Sequence, residues 1–243
     1  MKNVLILGAT SDIARALARA CAGRGCRLML AARDPARLED DVKDLRIRSG
    51  AEVDAVQFDA LDREAHPEWY AALPVAPDTA VCVFGCLGDE DAAENDPAEA
   101  HRIVDTNYAG AVSVLDRAAA SMKEAGTGAI VGISSVAGDR GRGSNAHYGS
   151  AKAGFSAYLS GLRNRLFPAG VRVLTVKPGY VRTRMTAGMD LPDALTADPD
   201  DVADAVLKAL DGRRDVIYVK WIWRWIMLVI RMIPEPVFKR LRL

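Results

Sequence analysis

Seven short apolar runs alternate with stretches of helical periodicity along most of this chain, and that alternation leaves few folds open. The runs are Asn3–Leu7, Arg27–Ala32, Glu52–Phe58, Ala80–Phe84, Ala129–Ser134, Arg172–Lys177 and Val216–Val219. Between them, apolar positions recur at helical spacing near 12–24, 35–48, 62–73, 97–125, 147–167 and 200–211. Strands that are apolar on both faces need cover on both sides, and a helix after each strand supplies it. The pattern therefore predicts a single doubly wound α/β domain over residues 1–220, its parallel sheet of about seven strands covered by helices on both faces. No Pro/Gly-rich linker or long repeat divides it, and 243 residues allow a substantial core.

Composition narrows the partners. Lys+Arg and Asp+Glu both number 32, so the overall charge gives no reason to expect a nucleic acid. The charge is segregated, however: Lys220–Leu243 holds six basic residues and one acidic, leaving the rest net acidic. Cys21, Cys26, Cys82 and Cys86 lack the paired spacing of zinc ligands and read as buried free thiols in a reducing cytosol, with no metal site. The first strand begins at once, without the longer apolar region and cleavage site of a secretory signal, so a cytoplasmic location is expected.

The chemistry-bearing residues cluster late in the chain. Tyr148 and Lys152 are four apart, on one face if Ala146 onward is helical. An ammonium beside a phenol stabilises phenolate and lowers a pKa that starts at about 10. Ser135, ending an apolar run, would hold a substrate oxygen against that phenol, and Asn107 lies further upstream. Taken alone, Tyr-x-x-x-Lys also arises by chance on many helices.

The first strand runs into Gly8-Ala9-Thr10-Ser11-Asp12-Ile13-Ala14 and then a helix. A glycine there permits close backbone approach, and helix-terminal amides suit a pyrophosphate. The motif departs from the usual glycine fingerprint at Asp12 and Ala14. Asp12 would bring a carboxylate near the phosphates unless it turns away to cap the helix. After the second strand, small Ala32 followed by Arg33 favours NADP(H) over NAD(H), because a cation accommodates a 2′-phosphate. Alternatively Arg33 is solvated and Asp34 caps the next helix. Asp59 would accept from an adenine amino group or merely start a turn.

Together these residues resemble the classical short-chain dehydrogenase/reductase family over residues 1 to about 220. The match comprises the first-strand glycine turn, Asp59, Asn107, Ser135, Tyr148, Lys152 and Pro178-Gly179 with Thr183. The resemblance implies a Rossmann-type fold, an NAD(P)-dependent oxidoreductase and a likeness of roles. Tyr148 is then the acid/base, Lys152 the group that lowers its pKa and binds the nicotinamide ribose, Ser135 the carbonyl-orienting hydroxyl and Asn107 the support of a proton relay. Cofactor contacts are implied at Gly8, Thr10, Ser11, Asp12, Ile13, Arg33, Asp59, Ala60, Gly85, Tyr148, Lys152, Pro178, Gly179, Val181 and Thr183. Two departures, Asp12 and Gly85-Cys86-Leu87-Gly88, resemble the decaprenylphosphoryl-2-keto-pentose reductase branch, as do Phe58-Asp59-Ala60-Leu61-Asp62, Val181-Arg182-Thr183-Arg184-Met185 and the tail from Ile233-Pro234 to Phe238-Lys239. That branch implies a lipid-linked keto sugar of cell-envelope synthesis and a separate flavin-dependent oxidase that supplies the ketone.

Three regions keep alternatives open. Arg184–Asp201, with Gly188, Pro192 and Pro199, is a substrate lid or a passive loop. The tail, residues 221–243, combines three tryptophans with one basic stripe of Lys220, Arg224 and Arg231. Its unbroken apolar run falls far short of the ~20 residues needed to span a bilayer, so it reads as a helix on the membrane surface or as a contact in a homo-oligomer. Arg140, Arg142, Arg182 and Arg184 would meet a substrate phosphate or be solvated, and His66 and His101 read as surface residues. Two other functions stay in view: a general carbonyl or hydroxysteroid-type reductase of a hydrophobic ketone, and a nucleotide sensor without chemistry.

Overall fold

The computed structural model describes residues 1–241; Arg242 and Leu243, the end of the tail, lie outside the described residues. In chain order the elements are β1 (Asn3–Leu7), α1 (Asp12–Ala22), β2 (Arg27–Ala32), α2 (Glu39–Ser49), β3 (Val53–Gln57), α3 (His66–Ala71), β4 (Thr79–Cys82), α4 (Glu90–Ala93), α5 (Pro97–Val104), α6 (Gly110–Ala125), β5 (Gly128–Ile133), α7 (Ala146–Leu166), β6 (Val171–Pro178), β7 (Tyr180–Val181), β8 (Thr196–Ala197), α8 (Pro199–Asp211), β9 (Val216–Val219), α9 (Ile222–Met232) and α10 (Glu235–Phe238). All seven expected strands form one parallel sheet in the order β3-β2-β1-β4-β5-β6-β9. The order reverses between β1 and β4, where open parallel sheets form their ligand crevice.

Alternation along β1 explains the two cores. Val4 and Ile6 pack with Leu17 and Cys21 of α1 and Val202 and Val206 of α8. Leu5 and Leu7 face the other way, against Leu115 and Met122 of α6 and Phe155 and Leu159 of α7. All four strand side chains are fully buried, and each contributes about 1.5–3 kcal/mol relative to exposure.

The periodic stretch 97–125 is two helices rather than one. A π turn over Asp105–Ala109 joins α5 to α6. α6 then starts on Gly110, where a Cβ would lie 2.2 Å from the Ala60 carbonyl oxygen, so only a bare glycine passes that carbonyl. The segment Arg184–Asp201 contains a short strand and two single helical turns. Its β8 pairs with β7 in a small parallel ribbon, Tyr180 opposite Thr196.

The tail forms α9, which packs Trp223 and Met227 inward against Val136. Its outward side is apolar too: Trp221, Trp225, Val229 and Met232 are exposed, with Arg224 and Arg231 to one side. Among the described residues no helix is long and apolar enough to cross a membrane.

Candidate active site

The carboxyl ends of β1, β2, β4, β5 and β6 open into a cleft of about 580 Å³, a size suited to a small-molecule or cofactor site. At one end the β1–α1 turn brings Gly8, Thr10, Ser11, Asp12 and Ile13 to the wall. Gly8 has φ +85°, and a Cβ there would meet the Phe84 backbone nitrogen at 2.6 Å, so only glycine allows the β4 end to approach so closely. Ser11, not Asp12, caps α1: its Oγ accepts from the Ala14 amide at 3.1 Å. Asp12 is the first helical residue, with its carboxylate turned toward Arg184, which donates to it through its backbone N–H at 2.8 Å and its Nε at 3.1 Å.

Arg33 stands exposed at the rim after β2, while Asp34 caps the turn that follows, accepting from Ala36 at 3.1 Å. Asp59 and Ala60 line the cleft after β3; Asp59 starts a turn, accepting from Leu61 at 3.0 Å. Gly85 follows β4, and Pro178, Gly179, Val181 and Thr183 follow β6 along the opposite wall.

Ser135, Tyr148 and Lys152 meet at the other end. Ser135 leaves β5, and α7 carries Tyr148 and Lys152 on one face, the phenol beside the serine at the cleft wall. Lys152 is 3% exposed; its Nζ donates to the Ile133 carbonyl at 3.1 Å and lies 5.7 Å from the Tyr148 ring centre. Burial pulls this ammonium down to about 8. Tyr148 does not follow the sequence expectation of a lowered pKa. Burial pushes the phenol up, against the neighbouring Ser135 hydroxyl that favours phenolate, and the nearby Cys86 adds to the rise.

Asn107 sits in the π turn and does not line the cleft. It is 1% exposed, donating from Nδ2 to the carbonyls of Cys86 (2.6 Å) and Ile103 (2.8 Å) and accepting from the Cys86 amide at 3.2 Å. A Cβ on Gly85 would be 2.9 Å from its Oδ1 and 3.3 Å from Lys152 Nζ, so this bare position lets both polar groups close on the strand end.

The donor set fits a nicotinamide dinucleotide. Turn amides and a helix N-terminus stand midway, a cation and a carboxylate at the β2–β3 end, and hydroxyl, phenol and ammonium at the far end. The family model for short chain dehydrogenases matches residues 2–193. The chain belongs to the short-chain dehydrogenase family. It is an oxidoreductase of the kind that interconverts CH–OH and C=O. An uncharacterized oxidoreductase of Mycobacterium tuberculosis is 42% identical across 98% of this chain and 96% of its own length. Another from Streptomyces coelicolor is 39% identical across 99% and 96%. A solved short-chain dehydrogenase from Sphingobium yanoikuyae, in complex with NADPH, is 29% identical with a TM-score of 0.82, covering all of this chain and 97% of that one.

Within this family member several residues depart from their sequence reading. His66 is buried, not on the surface: its ring nitrogens bond Ser113 Oγ at 2.8 Å and the Asp59 carbonyl at 2.9 Å, and it stacks on Phe58. His101 is exposed as expected. Arg140 neither faces solvent nor lines the cleft. It bonds the carbonyls of Ile230, Arg231 and Ile233 and the Glu235 carboxylate, closing the end of α9. Arg182 pairs with Asp193 and Asp198.

Two features went unseen in the sequence. Cys86 is half-buried at the cleft, with its sulfur 2.8 Å from the Arg102 guanidinium, unlike the other, buried thiols. Glu90 holds His147 beside the tyrosine, accepting from its backbone amide at 3.0 Å and pairing with Nδ1 at 2.9 Å. The acidic run Asp89-Glu90-Asp91 was the available signal for the second.

Proposed function

We propose that this short-chain dehydrogenase reduces a keto group to an alcohol with NADPH, and that the ketone is a lipid-linked or other keto sugar of cell-envelope polysaccharide synthesis. The observation that carries the reaction is the convergence of Ser135 and Tyr148 on the cleft end, with Lys152 buried behind them. A bound nicotinamide supplies the hydride. The chain's own residues do the rest. Ser135 orients the carbonyl oxygen, Tyr148 gives its phenolic proton to that oxygen, and Lys152 stabilises the phenolate left behind while holding the nicotinamide ribose. Positioned proton transfer is worth about 10²–10⁴-fold. Asn107 keeps the strand end and the π turn in register, supporting the relay that reprotonates Tyr148. Gly8, Thr10, Ser11 and Ile13 hold the pyrophosphate, Asp59, Ala60 and Gly85 the adenosine side, Pro178, Gly179, Val181 and Thr183 the carboxamide, and Arg33 the 2′-phosphate.

The lipid-linked substrate is supported by Asp12 and the Gly85–Gly88 segment, by the exposed Met185 and Met189 at the cleft, and by α9. A helix with one face packed and an outward stripe of tryptophans beside arginines suits an anionic lipid surface. The enzyme then works at the cytoplasmic face of the membrane, and a separate flavin-dependent oxidase supplies its ketone. The apolar lining of Leu87, Met185 and Met189 favours a second reading, a reductase of free hydrophobic ketones.

Tyr148→Phe tests the chemistry. It is expected to remove most turnover while NADPH affinity, read by fluorescence, changes little; near-normal turnover would end the assignment. NADPH oxidation over a panel of lipid-linked keto sugars and free ketones separates the two substrates. Cosedimentation with anionic vesicles tests α9, and Trp225→Glu with Val229→Glu should abolish it. Concentration-dependent association lost in the same variant would instead assign that face to a homo-oligomer.

A further inference from the structure

Asp12 is the residue that fits the pyrophosphate turn worst, because a carboxylate at the N-terminus of α1 would repel phosphate. Its oxygens are engaged elsewhere. Oδ2 accepts from the Arg184 amide at 2.8 Å, Oδ1 accepts from Arg184 Nε at 3.1 Å, and the guanidinium also donates to the Thr10 carbonyl. The partners are 172 residues apart and both line the cleft.

Arg184 begins a flap with its own internal ties. Thr183 and Thr186 form a reciprocal capping turn, β7 pairs with β8, and Arg182 holds Asp193 at 2.9 Å. At its rear the flap rests on the tail: Lys220 donates to the Asp193 and Ala194 carbonyls, and Trp223 Nε1 to the Leu195 carbonyl at 3.0 Å. At its front, among the described residues, the Arg184 contacts are its polar link to the glycine turn. The link joins the two walls between which a dinucleotide runs, from Gly8–Ile13 to Thr183.

We propose that Asp12 and Arg184 form a latch across the cofactor cleft, which opens to admit or release the dinucleotide and sets how long it stays. The proposal rests on the dinucleotide reading above and recasts Asp12 as a positioning residue acting on the flap rather than on the phosphates. The pair is partly exposed, at 25% for the Asp12 side chain and 55% for Arg184, so it can break without unfolding the flap.

The test is NADPH release by stopped-flow fluorescence for wild type, Asp12→Asn, Arg184→Gln and the double variant. Each single variant should release about five- to tenfold faster, in keeping with a half-exposed charged hydrogen bond. The double variant should fall well short of the sum of the singles, because the Nε–carboxylate contact they share is lost only once. Hydrogen exchange on the nucleotide-free protein should show residues 182–195 opening faster in all three variants, with exchange across β1 and β4 unchanged. Release rates within twofold of wild type, or additive effects in the double variant, overturn the latch and leave the cofactor reading intact. A wild type that binds neither NADPH nor NADH overturns both.

Discussion

Trp223 lies so close to Gly179 that a Cβ built on the glycine would stand 2.0 Å from the indole nitrogen. The tail helix is thereby seated on the turn that ends β6, one residue from Pro178 at the cleft wall. Tyr180 meets the same indole edge-on, with ring centres 5.4 Å apart. Gly179→Ala must move the whole of Trp223, since an indole has no flexible end to yield. Overpacking of this kind costs about 1–3 kcal/mol, a drop of roughly 2–12 °C in Tm for a domain this size. Differential scanning calorimetry checks it, and an unchanged Tm would mean that α9 can dock elsewhere.

Arg140 makes the complementary prediction at the other end of α9. Its guanidinium collects three carbonyls and the Glu235 carboxylate and stacks 3.8 Å from the Phe238 ring centre. The last carbonyls of a helix have no partner within it, and a cation there satisfies them. Arg140→Ala removes the guanidinium from those carbonyls and, among the described residues, leaves only Ile230 another donor, the Ile233 amide, so residues 222–238 should be cut by protease about tenfold faster or more, on a loss of charged hydrogen bonds worth about 1.5–3 kcal/mol each at most. The body of the fold should resist as before. Equal cleavage rates would show that α9 is held by its apolar face alone.

These two contacts also mark where the sequence stopped being readable. The sheet was legible because each strand is apolar on both faces, a property each run carries by itself. Tyr148 and Lys152 were legible because helical spacing puts them on one face. Contacts that join distant segments carry no local pattern: nothing near Arg140 says that it will close a helix 90 residues later, and nothing near Asp12 points to Arg184. His66 misled for the same reason, since its cover comes from Ser113 on α6. The need for a bare Gly110 within the 97–125 stretch likewise comes from Ala60, a residue outside it.

The NADPH preference proposed above turns on Arg33. It is exposed at the rim beyond the buried Ala32, where a small side chain leaves room for a 2′-phosphate. Arg33→Ala is expected to raise KM for NADPH by about tenfold or more while changing KM for NADH less than twofold, because the lost charge meets only the phosphate. Initial rates with both dinucleotides and one ketone decide it. An equal rise in both KM values would return Arg33 to the solvated reading.

Lys152 yields a pH prediction that needs no substrate. Burial pulls its ammonium down to about 8 from an ordinary value of 10.5. In the window between those values the unfolded chain holds more protons than the folded one, so this lysine makes stability rise with pH there. Below about pH 8 both states are charged and the cost of burying the ammonium is felt in full, on the order of 3 kcal/mol. Lys152→Met removes the titrating group. It should be more stable than wild type near pH 7, with the advantage shrinking toward nothing as the pH approaches 10.5. Cys21 and Cys82, pushed up to about 12 by burial, make stability fall above pH 9, but they do so in both proteins and largely cancel in the difference. Urea melts of the two proteins across this range measure the gap. A gap independent of pH would mean that the buried lysine keeps its ordinary pKa. A gap that closes on alkalinisation would show that the fold carries a destabilising buried charge at neutral pH, 5.7 Å from the Tyr148 ring centre.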